Sequence, residues 1–275
     1  MSSPRVVAVL SGGGAKAAAH LGVARALAEA GITPVHWVGT SMGSVMAAAL
    51  AGGTAPEVIL QRFAMVRRRD VLRRAPFALF RGIWAPAQLD PGPFRTTIGS
   101  LLDAERFADL AAPCTITAVA QQTGEELRFG TNGEDAPLLD ALMGACALPP
   151  YYPAALVNGR ACYDGGLRGP VPLGVVEEIA CDRVVVVDVG PGFDEVGTPL
   201  QLPPPLLAAA DTAIGWLMAG TTALVRERWE RTPGLPPLIW LRPVSDRGAT
   251  FALERVPAYA SAGYDAMRAA LDDLG

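Results

Sequence analysis

The chain has 275 residues, 51% of them hydrophobic and 18% charged, with a formal net charge of −4. That length buries a sizeable core, the composition excludes disorder for most of the chain, and the acidic balance argues against a nucleic-acid binder. Four widely spaced cysteines (Cys114, Cys146, Cys162, Cys181) form no C-x-x-C pair, and the chain has two histidines, so small buried thiols are expected rather than disulfides or a metal site.

The N-terminal stretch "MSSPRVVAVLSGGG" has too short an apolar run for a secretory signal, and its residues 5–10 read as a buried first strand. A cytoplasmic location is therefore expected. Three glycines, Gly12, Gly13 and Gly14, lead into a helix over 15–30 that Gly31 ends. Residues 34–38, "PVHWV", form a second strand, followed by "GTSMGSVMAAALAGG", a turn and a second helix. Residues 62–81 carry seven arginines against one aspartate, interleaved with Phe63, Phe77 and Phe80. This segment offers either a peripheral membrane contact or a solvated amphipathic helix over the core.

Further strands are expected at 113–120, 183–189 and 237–241, and a C-terminal helix at 253–273. The proline-rich patch 198–207 reads as a loop. The longest apolar run, 204–225, contains Asp211 and many small residues and reads as a buried helix or dimer contact rather than a membrane span. Apolar strands alternating with helices predict an α/β fold with a mainly parallel central sheet covered on both faces. No internal repeat is evident, and 1–275 reads as a single domain.

A glycine loop at a strand-to-helix junction presents N–H groups to something negative. A P-loop is excluded by spacing, because Gly14 is followed by Ala15, Lys16 and Ala17. Gly12, Gly14 and Ala17 fit a dinucleotide fingerprint, but the second strand ends in "WVGTSMGS", without the carboxylate that holds ribose hydroxyls. The same residues contain G-x-S-x-G: Gly39, Ser41 and Gly43 lie between a strand and a helix. A serine on such a turn stands above the sheet, flanked by glycines because neighbouring side chains would collide. A plain βα turn with Ser41 as a helix cap is the bland alternative for these residues.

A nucleophilic serine needs a base. Both histidines, His20 and His36, precede Ser41, which excludes the order serine, acid, histidine. Lys16 is the sole lysine, and no S-x-x-K is present. A carboxylate acting directly on the serine remains, and Asp164 in "RACYDGGLRGPVPL" suits it, although an ordinary Asp-Gly turn explains that residue as well.

Together, "SGGGAKAAAHLGV", "GTSMG", "GACALPPYYPA" and "DGGLRGPVP" resemble, in order and spacing, the patatin-like phospholipases. The resemblance covers about residues 5–175. It implies a three-layer α/β/α fold and a serine acyl hydrolase with a Ser–Asp dyad and no cofactor. It implies Ser41 as nucleophile, Asp164 as general base and Gly12, Gly13 and Gly14 as oxyanion donors, with Lys16, Gly39, Met42, Gly43, Gly165 and Gly166 in support. Lys16 and Ala17 stand where the family commonly has arginine and glycine, a change that removes no backbone N–H. The expected substrate is a phospholipid, lysophospholipid or simpler ester. An acyltransferase or thioesterase, a nucleotide-binding protein and a catalytically silent lipid-binding protein are the rival readings.

Overall fold

The computed structural model describes residues 4–75, 84–85, 87–195 and 205–274. Eight strands among them form one sheet: β1 Val6–Leu10, β2 His36–Thr40, β3 Cys114–Ala120, β4 Glu126–Gly130, β5 Ala155–Val157, β6 Arg160–Asp164, β7 Arg183–Val187 and β8 Leu238–Leu241. The path across the sheet is β5-β6-β3-β2-β1-β7-β8. The pairs among β3, β2, β1, β7 and β8 are parallel, and β4, β5 and β6 add an antiparallel flank.

The helices are α1 Ala18–Glu29, α2 Met42–Ala51, α3 Pro56–Ala64, α4 Arg68–Val71, α5 Pro91–Ser100, α6 Leu138–Ala145, α7 Leu173–Val176, α8 Pro205–Arg231 and α9 Val256–Ala269. Alternation along the strands feeds two cores, because successive side chains point to opposite faces. Val6, Ala8, Leu10, Val185 and Val187 meet residues of α1, α2, α6 and α9 on one face. Val7, Val9, Val184 and Val186 meet Leu173, Val176 and Trp229 on the other. Each fully buried valine or leucine contributes about 1.5–3 kcal/mol by leaving water. The result is the α/β/α layering expected.

Helices α1 and α9 touch through glycine. A Cβ on Gly22 would lie 1.9 Å from the Ala260 carbonyl oxygen, and one on Gly263 would lie 2.0 Å from that of Ala19. No side chain fits at either point.

One register sets up the functional site. Thr117 of β3 pairs with both Arg128 and Thr40, and Ala118 pairs with both Leu127 and Asp164. Strand β4 therefore takes one edge of β3, while β2 and β6 share the other. The C-terminal residues of β2 and β6 meet at two consecutive residues of a buried strand. Thr40 and Thr117 also join through their hydroxyls at 2.7 Å.

Several expected boundaries shift. The second strand runs to Thr40 rather than stopping at Val38, so Ser41 follows the sheet directly. The strand expected at 183–189 ends at Val187, freeing Asp188 and Val189 to turn. The first helix begins as a 3₁₀ turn, Gly14–Ala17, and Gly31 ends α1 with φ 72°. In the arginine-rich segment, Phe63 is buried in the core, Arg62 pairs with Asp103 at 2.9 Å and Arg73 Nε donates to Asp90 at 3.1 Å. These contacts show which side of the segment packs on the core; Phe77, Phe80 and Arg81 lie outside the described residues. Of the two readings of the apolar run 204–225, the buried helix is corrected. From Pro205 it is helix, yet only 11% of its apolar window is buried, because α8 lies on the surface with one face against the domain. Positions 198–204 of the proline-rich patch lie outside the described residues.

Candidate active site

Ser41 occupies the sharp turn between β2 and α2 with φ 54° and ψ −134°, a conformation that only glycine adopts readily. Its neighbours show why the chain needs glycine on both sides. A Cβ on Gly39 would lie 2.5 Å from the Ser44 Cα, and one on Gly43 would lie 2.2 Å from the Leu10 carbonyl oxygen. The N–H of Ser44 donates to the Ser41 carbonyl at 2.9 Å, as does the Ser44 hydroxyl, which fixes the turn. Met42 opens α2 immediately beyond.

The Ser41 hydroxyl donates to Asp164 Oδ2 at 2.6 Å. The other carboxylate oxygen accepts the Gly166 N–H at 2.8 Å, so both oxygens are held. Asp164 is 2% exposed. Burial pushes its pKa up from 3.8 to about 6, against the lowering effect of the two hydrogen bonds. Gly165 is required by close approach, since a Cβ there would lie 2.4 Å from the Thr117 carbonyl oxygen.

The glycine loop lies against this pair. A Cβ on Gly12 would stand 2.8 Å from the Ser41 Cβ, and one on Gly13 would stand 2.5 Å from the Val189 carbonyl oxygen. Gly14 has φ 59° and no room for a side chain, with the Thr250 carbonyl oxygen 2.3 Å from its Cβ position. Among the described residues, the N–H groups of Gly12 and Gly13 meet no backbone acceptor. They stand at the entrance to the helical run that continues into α1, where the peptide dipoles favour negative charge.

The other candidate bases are engaged elsewhere. His20 Nε2 is 2.9 Å from the Ser11 carbonyl oxygen, and His36 Nε2 is 2.8 Å from the Thr115 hydroxyl. Burial lowers both imidazoles to about 4. Lys16 is buried, with its ammonium 3.2 Å from Glu195 and 3.3 Å from the Asp246 carbonyl oxygen. Burial draws its pKa down, and Glu195 partly restores it. Among the described residues no three His, Cys, Asp or Glu side chains group as metal ligands. Arranged in this way, a hydroxyl, a buried acceptor and free N–H groups can carry out acyl transfer.

Sequence reasoning missed the residues that brace the loop. The Ser11 hydroxyl accepts the Val189 N–H at 2.8 Å, tying the glycine loop to the end of β7. Arg242 Nη1 donates to buried Asp188 at 3.1 Å, and its Nε donates to Asp194 at 2.6 Å. A charged residue directly after each of the apolar strands "RVVVV" and "LIWL" was the available signal for Asp188 and Arg242. On the other side, Tyr151 Oη donates to Asp211 of α8 at 3.0 Å, and Met218 Cε lies 3.2 Å from the Cβ position of Gly166. Nearby, a cavity of about 220 Å³ is lined by Phe94, Met143, Cys146 and Tyr152, but not by Ser41 or Asp164.

Fold and site define a class: mixed-sheet α/β proteins that hold a serine at a strand-to-helix elbow against a buried carboxylate. The family model of the patatin-like phospholipases matches residues 8–176, and the chain belongs to that family. An uncharacterized NTE family protein of Mycobacterium bovis is 29% identical over 198 residues, covering 70% of this chain and 52% of the relative. A patatin-like phospholipase domain-containing protein of Caenorhabditis elegans is 31% identical over 196 residues, covering 66% of this chain and 13% of the relative. The chain thus spans about half the length of its mycobacterial relatives or less of the animal ones. VipD from Legionella pneumophila shares the fold, with a TM-score of 0.57 at 15% identity over 99% of this chain and 67% of VipD. Family membership supports lipid hydrolase activity in general.

Proposed function

We propose that the protein is a serine-dependent lipid acyl hydrolase in which Ser41 is the nucleophile and Asp164 the general base. The observation that carries this reading is the 2.6 Å bond from the Ser41 hydroxyl to a carboxylate that burial has made more basic. A carboxylate of ordinary pKa is a poor base for a hydroxyl, and one near 6 is better matched to neutral pH.

In this mechanism Asp164 Oδ2 takes the serine proton as Ser41 Oγ attacks the ester carbonyl. The carbonyl oxygen becomes negative and receives the N–H groups of the Gly12–Gly14 loop, each donor contributing about 3–4 kcal/mol to lowering the barrier. The tetrahedral intermediate collapses, Asp164 returns the proton to the departing alcohol, and an acyl-enzyme remains. Water then attacks the acyl carbon with Asp164 as base, releasing the fatty acid and restoring Ser41. An alcohol or thiol in place of water would make the same site an acyltransferase.

Intact-mass labelling with a fluorophosphonate tests the assignment. One adduct on the wild type, absent from Ser41→Ala and strongly slowed in Asp164→Asn, is the expected result. Well-folded wild type that takes no adduct would overturn the reading. In the same reading kcat/KM for an ester rises with pH through about 6, as Asp164 ionises.

A further inference from the structure

Helix α8 is apolar on its outer face as well as on the face it turns to the domain. A helix packed on a soluble domain normally turns its apolar stripe inward and its polar face to water. Here the inward face carries Met218, Ala219, Val225 and Trp229 with Asp211 and Thr222 among them, so it is already the apolar side that packs on the domain. The outward face carries Ala209, Ala213, Trp216, Leu217 and Leu224, recurring at helical spacing. Trp216 is 62% exposed, Leu217 73% and Leu224 68%. Between Thr212 and Val225 the helix has no charged residue.

From this we infer that the outward face of α8 is a docking surface for a lipid bilayer, lying in the interfacial plane beside the active site. Continuity with the site is the first argument. The inward face of the same helix meets the catalytic loops through Met218 at Gly166 and through the Asp211–Tyr151 hydrogen bond. Gly215 packs near Pro191, two residues before Phe193, which is itself 73% exposed on the loop that backs the oxyanion glycines. A bilayer wetting the outer face would therefore hold its lipids next to the mouth of the Ser41–Asp164 site.

Charge is the second argument. Where α8 becomes polar, its charges cancel: Arg226 pairs with Glu230, Arg231 with Glu227 and Arg228 with Glu177. The face offers no net charge to seek anionic lipid. A tryptophan beside leucines on a neutral helix suits the headgroup–acyl boundary of a zwitterionic membrane. The helix is long and apolar enough to span a bilayer by length and composition. Buried Met218, Ala219, Thr222 and Trp229 commit one side to the domain, so it lies along the membrane instead.

The inference extends the lipid hydrolase reading, and its test separates the two. Wild type and Trp216→Glu/Leu217→Glu are floated with vesicles of ether-linked phosphatidylcholine, which the enzyme cannot cleave, at low and high salt. Wild type is expected to float equally at both salts, and the variant to partition at least about tenfold less. The variant should keep wild-type rates on a water-soluble short-chain ester while losing hydrolysis of vesicle phospholipid. Equal flotation of both proteins overturns the inference, as does flotation that requires anionic lipid and vanishes in salt. So does a wild-type dimer that the variant dissolves, which would assign the face to a second copy. Flotation as expected without any ester hydrolysis would leave the docking surface standing and sink the hydrolase reading.

Discussion

Replacing Asp164 with asparagine separates what the carboxylate does for chemistry from what it does to the fold. Asparagine keeps the shape and can satisfy both contacts, its oxygen accepting from Gly166 N–H and its amide donating to Ser41. Only the charge is lost. Burial holds the wild-type carboxyl near 6 rather than 3.8. For an acid, the raised folded value means that stability is full below the unfolded pKa and is lost as pH rises through about 6. Above that pH the ionised group costs the native state about 3 kcal/mol, which for a chain of this length corresponds to about 5 °C in Tm. Asp164→Asn should thus melt up to about 5 °C higher than wild type at pH 8, and by about half that margin at pH 5. His20 and His36, both lowered to about 4, destabilise the protein below their unfolded value of 6.5, but they cancel in the difference between the two proteins. Ester hydrolysis by the variant should fall at least about 10³-fold through loss of the base. Calorimetry at the two pH values, with an ester assay alongside, is the measurement. A stability difference independent of pH, or a less stable variant, would refute the electrostatic reasoning.

Three other outcomes follow from the geometry. Ser41→Gly and Ser41→Ala both remove the hydroxyl, but only glycine relaxes the backbone at φ 54°, so the glycine variant should be more stable by about 1 kcal/mol in denaturant titration. Gly22→Ala would set a methyl carbon 1.9 Å from the Ala260 oxygen and should destabilise by about 3 kcal/mol as α1 and α9 part, read from the urea midpoint. Arg242→Ala strands Asp188, which is buried next to Val189 and hence next to Gly13. It should cost about 3–5 kcal/mol and slow fluorophosphonate labelling of Ser41 even in protein that remains folded, whereas labelling at the wild-type rate would dissociate the brace from the glycine loop.

The elements that define the class were legible because their chemistry is local. Three glycines after a valine-rich strand and a serine between two glycines each declare a backbone constraint within a few residues. The contacts at Gly39 and Gly43 show that constraint directly. Asp164 could be singled out locally, but its pairing with Ser41 depends on a register between β3, β2 and β6 that no local pattern encodes. Within the antiparallel flank, β5 has three residues, too few for a period, whereas the polar–apolar alternation of β4 over Glu126–Gly130 is a readable strand signal missing from the strands expected above. Helix α8 misled for another reason. Apolar composition implies burial only when something is there to cover it, and the sequence does not reveal which face of a helix the domain occupies. The Arg242–Asp188 pair joins residues 54 apart, and each is an unremarkable charge on its own.

The meeting of β2 and β6 along one edge of β3 has a consequence for how the protein ages under heat. Thr40 and Asp164 are anchored to adjacent peptides of a strand whose residues Cys114–Val119 are all buried. Drawing the Ser41 and Asp164 backbones apart means breaking the pairing of β2 or β6 with β3. Loss of the pair on warming should therefore track global melting instead of running ahead of it. In the proposed reading, regulation would then act at the approaches that admit substrate rather than on the Ser41–Asp164 geometry.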